Sequence, residues 1–179
     1  MAYAIGRFAE QGYHTTSVAE IVEGIGVGKG VFYWYFDSKE ALLRQLLKDA
    51  QTDLRRRQQA AIGDETDPLR RIERGIRASL AWSAEHRDLI TLVQFAETEP
   101  RFAEALRRGE EIAVADTVRH LKDAIVEGQI PDRDPEVLAH AVLGVIGKLA
   151  RTFVHERGEA TEGVAESAVA FCLGGLTRP

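Results

Sequence analysis

The feature that most constrains the fold is the stretch from Thr15 to Lys39, which predicts two short helices joined by a tight turn. Ser17 is followed three residues later by Glu20, the capping-box pattern in which a hydroxyl and a carboxylate satisfy free N–H groups at a helix start. Gly26 is placed to adopt the left-handed conformation that closes this first helix. The stretch therefore predicts a helix, a glycine-rich turn and a second helix.

The second helix of this stretch carries Val31 and Phe32 as its expected core residues. Ser38 ends it and is expected to cap a longer helix, because a serine hydroxyl accepts a bond from a free backbone N–H. Two short helices with a tight turn are the pattern of a helix-turn-helix, whose second helix enters the major groove of DNA.

The wider segment resembles the DNA-binding domain of the TetR family of transcriptional regulators. The residues that carry the resemblance agree with the family at fixed spacing over about the first fifty positions: Phe8–Tyr13, Thr16–Val18, Ile21, Gly26–Phe36 and Ser38–Leu43. The rest of the chain resembles the family only in length and helical character. The resemblance implies a homodimeric repressor that a small molecule releases from an operator in double-stranded DNA.

The expected fold class is all-α. An N-terminal three-helix helix-turn-helix domain is predicted over residues 1–45, with its first helix incomplete at the N-terminus, and a C-terminal helical ligand-binding and dimerisation domain over residues 46–179. Asp67-Pro68 and Asp134-Pro135 each combine a cap with proline at the first helical position. No alternating apolar run predicts a strand.

Residues of the helix-turn-helix are candidates for DNA contact because of their chemistry and position. A lysine at the start of the second helix reaches base edges or phosphates, tyrosine hydroxyls bond phosphate oxygens, and glycines permit close approach of the backbone. The resemblance implies phosphate contacts from Tyr33 and Lys39, whereas Val31 replaces a threonine or serine that the family often has. The expected DNA-binding residues are Thr16, Ser17, Gly28, Lys29, Gly30, Val31, Tyr33, Trp34, Tyr35 and Lys39.

The second domain offers no motif, and its ligand site is predicted from four large rings on successive helices: Trp82, Phe95, Phe102 and Phe153. Together they suit an apolar cavity between helices, the usual form of a small-molecule site, so an apolar or amphipathic effector is expected. The alternative is that each ring is a core residue.

The last two helices are rich in small and apolar residues on more than one face. This pattern predicts burial on two sides, one in the domain and one against a second subunit. The alternative is that small residues only let helices within one chain approach closely.

Composition limits the other possibilities. The net charge is −5, and residues 1–50 hold five cations and six acids, so DNA binding depends on where a few cations lie. The single Cys172 and the absence of an apolar run near ~20 residues predict a cytoplasmic protein without a membrane span. Phosphate loops, metal motifs and nucleophile elbows are absent, so no catalytic residue, metal or cofactor is expected. The alternative function is an α-helical enzyme or protein-interaction module that retains a helix-turn-helix scaffold.

Overall fold

The chain folds into helices throughout the part described by the structure, a computed structural model that covers residues 1–178. Nine α-helices and no strand are found in that part. The helices are α1 (Ala2–Gln11), α2 (Val18–Gly24), α3 (Lys29–Tyr35), α4 (Lys39–Ile62), α5 (Pro68–Glu85), α6 (Arg87–Glu97), α7 (Ala103–Val126), α8 (Pro135–Leu149) and α9 (Thr161–Thr177). A short 3-10 turn at Pro100–Phe102 precedes α7, and a π-helical segment at Ala150–Glu156 continues α8. The all-α prediction is confirmed.

The helix boundaries follow from the caps that the sequence predicts. The Ser17 hydroxyl accepts from the Glu20 amide at 3.2 Å, and the Glu20 carboxylate accepts from the Ser17 amide at 2.7 Å, which is the capping box. Gly26 adopts φ +71° and turns the chain after α2. Asp67 and Asp134 accept amide bonds from the first turns of α5 and α8. These local predictions are confirmed.

The chain divides into two compact units whose boundaries differ from a single division near residue 45. The first unit comprises Met1–Thr52 and His86–Arg108, and the second comprises Asp53–Glu85 and the chain from Gly109 onward. The reason is packing: Leu92, Ala96 and Phe102 are buried in the same cluster as the helix-turn-helix. A later segment of the chain thus completes the core of the first unit.

Each unit has its own apolar core. In the first unit, Phe8, Tyr13, Phe32 and Leu43 are among the buried residues, and each large side chain contributes about 1.5–3 kcal/mol when it leaves water. In the second unit, the buried residues come from α5, α7, α8, the π-helical segment and α9. Cys172 is buried among them, and burial raises the pKa of its thiol. Cys172 is therefore a small core residue.

One continuous helical stretch is long and apolar enough to cross a membrane by length and composition, namely Pro135–Glu156. The prediction that no apolar run approaches ~20 residues was therefore wrong, because alanine and glycine between the larger apolar side chains keep the mean hydropathy high. Core helices of soluble proteins pass the same test, so the absence of a membrane span stays a prediction; 28% of an 18-residue window of this stretch is buried within the described chain.

Candidate functional site

Helix α3 has one buried and one exposed side. Phe32 is 6% exposed and packs against Phe36, with ring centroids 5.6 Å apart. The prediction that Val31 joins the core was wrong: Val31 is 46% exposed, because only Phe32 lies on the side of this short helix that packs inward. On the other side, Tyr33 is 54% exposed, Trp34 80% and Tyr35 67%. Because large rings rarely stand in water without a partner, this surface is a candidate contact site.

The start of α3 is also open to an approaching molecule. Lys29 is exposed, and it lies between Gly28 and Gly30. A Cβ atom added at either glycine would meet nothing within 4 Å, and neither residue has a positive φ. The fold of this chain alone therefore does not require glycine at these two positions.

Two residues predicted to contact DNA are instead engaged within the first unit. Thr16 is fully buried, and its hydroxyl donates to the Gly12 carbonyl at 2.9 Å. The Lys39 ammonium donates to the carbonyls of Tyr13 at 2.6 Å and Thr16 at 2.8 Å, and it lies 4.4 Å from the centroid of the Tyr13 ring. Burial, and next the charge of Arg101, lower the pKa of Lys39. Lys39 thus holds the segment between α1 and α2 in place.

The four rings predicted to share one cavity are divided between the two units. Phe95 stacks on Tyr13 with centroids 5.0 Å apart, and Phe102 meets Tyr13 edge-on at 5.8 Å, so both belong to the core of the first unit. In the second unit, the Trp82 indole N–H donates to Asp53 at 2.7 Å. The Phe153 ring there lies 4.6 Å from the Arg157 guanidinium. The expected grouping of the rings differs from their placement, because ring positions in sequence do not say which core each helix joins.

The second unit contains a cavity of about 230 Å³ that none of these rings lines. Part of its wall is apolar, and this part is formed by Ile62, Ile72, Ile76, Ala113, Val142, Leu143 and Ile146. The cavity is also lined by polar and charged residues: Arg55, Gln58, Gln59, Arg71, Asp116, Thr117, Arg119 and His120. A concave space with an apolar wall and a few polar groups is the usual form of a small-molecule site.

The arginines of this cavity are held by neighbouring acceptors. Arg55 forms a bidentate pair with Asp116, at 2.6 and 3.0 Å, and Arg119 bonds the same carboxylate. Arg71 donates to Asp123 and to the Thr66 carbonyl, both at 3.0 Å. Paired guanidinium groups have fixed orientations, so the positive groups of the wall are positioned before a ligand arrives.

His120 is the titratable group of this wall. Its Nδ1 lies 3.5 Å from an Arg71 nitrogen, and burial followed by the charges of Arg71 and Arg119 lowers its pKa. Sequence reasoning missed Arg71, Arg119 and His120. The available signal was the spacing of Asp116, His120 and Asp123, which puts polar groups beside the apolar stripe of α7.

The exposed sides of α8 and α9 carry apolar and small residues. Val137 is 63% exposed and Phe171 is 70% exposed. The glycines of these helices are open in the same way as those of α3: a Cβ at Gly144, Gly147 or Gly174 would meet nothing within 4 Å. No group of three or more His, Cys, Asp or Glu side chains that could hold a metal ion occurs among the described residues.

Comparison with known proteins decides the family. The model of the family described as bacterial regulatory proteins, tetR family, matches residues 2–46, the segment that holds the helix-turn-helix. Over these residues the chain has the DNA-binding domain of the TetR family. Regulators of this family bind operator DNA and small-molecule effectors and act as dimers.

Relatives extend over nearly the whole chain. The HTH-type transcriptional repressor KstR2 of Mycobacterium tuberculosis is 26% identical over 180 residues, covering 98% of this chain and 90% of that protein. The structure of this ketosteroid transcriptional regulator matches with a TM-score of 0.76 at 26% identity, covering 99% of this chain and 93% of that chain. The fatty acid degradation regulator FadR of Bacillus halodurans shares the fold with a TM-score of 0.88 at 18% identity, over 99% of this chain and 94% of that chain. The chain is a ligand-responsive, DNA-binding transcriptional repressor.

Proposed function

We propose that the exposed side of α3 reads the operator. The observation that supports this most strongly is the exposure of Tyr33, Trp34 and Tyr35 beside Lys29 on a helix whose other side is buried. Tyrosine hydroxyls and the lysine ammonium bond phosphates, and the indole N–H of Trp34 is a further donor. Gly28 and Gly30 let the DNA backbone approach α3, and Val31 and Ser17 complete the exposed contact set.

Thr16 and Lys39 act in this proposal by positioning. The Thr16 hydroxyl and the Lys39 ammonium are already bonded to backbone carbonyls, so a phosphate would have to displace those bonds. Their role is to fix the segment that carries the start of α2. Operator contact then falls to α3 and to Ser17.

The effector in this proposal binds in the cavity of the second unit. The cavity combines an apolar wall with guanidinium groups, which suits an amphipathic molecule. The KstR2 relative is described as a ketosteroid transcriptional regulator, which is in keeping with an apolar component. Because bacterial operators lie in the cytoplasm, the repressor acts there.

The second subunit packs on α8 and α9 in this proposal. Only 28% of an 18-residue apolar window within Pro135–Glu156 is buried in this chain, and Val137 and Phe171 are exposed. A two-fold operator needs two helix-turn-helix units about one helical turn apart, ~34–36 Å. The open glycines leave room for a partner helix to come close.

The experiment that tests the function is binding of genomic DNA fragments, with and without a library of small amphipathic compounds. We expect selective binding of one or a few fragments, weakened by at least one compound. Trp34→Ala should weaken selection without altering thermal unfolding. Binding that is equal for all fragments and indifferent to every compound would contradict the proposal.

A second experiment tests the dimer. Gly147→Glu puts a charge on the proposed interface and should give a monomer or insoluble protein, because a buried unpaired charge is costly. Ala61→Glu, at an exposed position of α4, is the matched control and should leave a dimer. Sedimentation that shows an intact dimer for Gly147→Glu would place the interface elsewhere.

A further inference from the structure

We propose that the cavity of the second unit takes a compact carboxylic acid, whose carboxylate is received by Arg71, Arg119 and His120 and whose apolar body lies on the isoleucine wall. This inference rests on the proposed function, which puts the effector in that cavity. It adds the charge, the anionic group and the size of the ligand.

The charge follows from the residues that line the cavity. Three guanidinium groups, those of Arg55, Arg71 and Arg119, face one lining carboxylate, that of Asp116. Arg55 and Arg119 both use this carboxylate, so it is shared between two cations. With Asp123, which pairs with Arg71, three guanidinium groups meet two carboxylates, and this surplus of one positive charge favours an anionic partner.

Arg71 has a donor for which the described residues supply no acceptor. It bonds Asp123 and a backbone carbonyl, but its Nε is buried and has no partner within the described chain. A buried donor without an acceptor is destabilising, because it has lost its bonds to water and gained none in exchange. A carboxylate placed at the guanidinium edge supplies acceptors in the bidentate geometry that this group prefers.

His120 adds a donor at the same place. Its Nδ1 faces an Arg71 nitrogen at 3.5 Å, and since guanidinium nitrogens only donate, this ring nitrogen accepts. The neutral ring then carries its proton on Nε2, where it can donate to an anion. Arg71 and His120, which both line the cavity, thus present donors of two kinds beside each other.

The size of the ligand follows from the cavity. Its volume is about 230 Å³. This is below the ~300–1,000 Å³ of typical small-molecule pockets, which suits a compact body and not a long chain. Ile72, Ile76, Val142 and Ile146 supply the apolar wall. A carboxylate on a single apolar ring meets the three requirements, which are a negative charge, an apolar body and a small size.

The test is calorimetric titration of the purified full-length protein with benzoate, phenyl phosphate, benzamide and benzylamine. We expect benzoate to bind and benzamide to bind about tenfold more weakly or worse, because a hydrogen bond to a charged group is worth ~1.5–3 kcal/mol. Benzylamine should not bind. Phenyl phosphate distinguishes the two anionic groups and should bind more weakly than benzoate.

Variants assign the anionic group to its residues. Arg71→Gln and Arg119→Gln should each weaken benzoate about tenfold or more, whereas Arg70→Gln, at an exposed neighbouring position of α5, should leave it unchanged. Thermal unfolding identifies any variant that has lost its fold, and the other variant then decides. If benzamide binds as tightly as benzoate, or phenyl phosphate binds more tightly, the carboxylate is not the preferred polar group of the ligand. The proposal that the effector binds in this cavity would still hold. If none of the four probes binds, the proposal of a single-ring carboxylic acid fails, whereas the effector cavity is judged by the compound library.

Discussion

The two units place their distinctive side chains in opposite ways. In the first unit, the exposed rings of α3 face solvent while Tyr13, Phe95 and Phe102 fill the core. In the second unit, guanidinium groups line a cavity. Under the proposed function, the first unit acts through an outer surface supported by a packed core, whereas the second acts through this cavity. Substitutions should therefore separate the two activities.

The largest expected effect sharpens this comparison inside the first unit. Phe102 is fully buried, so Phe102→Ala should lower the free energy of unfolding by about 3–5 kcal/mol and weaken DNA binding with it. Trp34 is 80% exposed, so Trp34→Ala should change the free energy of unfolding by less than ~0.5 kcal/mol and still weaken DNA binding. Urea unfolding measures the free energy of unfolding, and titration with DNA measures the affinity. Equal losses of stability for the two variants would contradict the division into core and surface.

The next effect concerns Lys39. Lys39→Met removes charged hydrogen bonds to two carbonyls and should lower the free energy of unfolding by about 1.5–3 kcal/mol. DNA affinity should fall alike for all sequences, with no change in its dependence on salt. Lys48→Met, at an exposed position of α4, is the control. Unchanged stability with a salt slope reduced by about one would make Lys39 a phosphate ligand instead.

The sequence predicted what local patterns determine. The capping box of Ser17 and Glu20, the turn at Gly26 and the proline-led starts of α5 and α8 depend on neighbours within a few residues, and the structure confirms them. The core placement of Phe95 and Phe102 depends on which helices pack together, and no periodicity within one helix reveals this.

The cavity of the second unit could not be predicted from the sequence for the same reason. Arg71 lies on α5, and Arg119 and His120 lie on α7, so only packing brings them to one wall. In sequence each is one of many charged or polar residues on an amphipathic helix. The inward position of Lys39 was also hidden, since a lysine at a helix start usually faces water.

A smaller effect tests the second unit through pH. Burial first, then Arg71 and Arg119, hold the pKa of His120 below its ordinary value, while Asp116 and Asp123 act in the opposite sense. An anion bound beside the ring should raise this pKa, so binding takes up a proton. Benzoate affinity should then rise as the pH falls from about 8 to about 5, until the ring is charged before binding as well.

His120→Gln is the control for this pH dependence, because the amide cannot take up a proton. In this variant, benzoate affinity should change little over the same range. Calorimetry in buffers with different ionisation enthalpies measures the proton uptake directly. Affinity that falls with decreasing pH in the wild-type protein would contradict the placement of the anion beside His120.

The smallest expected effect concerns Gly30. A methyl group there meets nothing within 4 Å, so Gly30→Ala should stabilise the fold by up to about 1 kcal/mol through helix propensity. DNA binding should nevertheless weaken, because the methyl group faces the operator. Gly6→Ala on α1 also has open space and should stabilise without affecting DNA. Unchanged DNA affinity for Gly30→Ala would contradict a DNA contact at the start of α3.

The central claim is that a ligand in the cavity of the second unit controls DNA binding by the first. The most direct measurement is the full cycle: operator affinity with and without ligand, and ligand affinity with and without operator. Since coupling is reciprocal, both ratios should equal the same factor, in the range of about 5 to 150 for ~1–3 kcal/mol. Arg71→Gln should lower the affinity for the ligand and leave the operator affinity of the ligand-free protein unchanged. A ligand that binds the free and the operator-bound protein equally well would contradict the account.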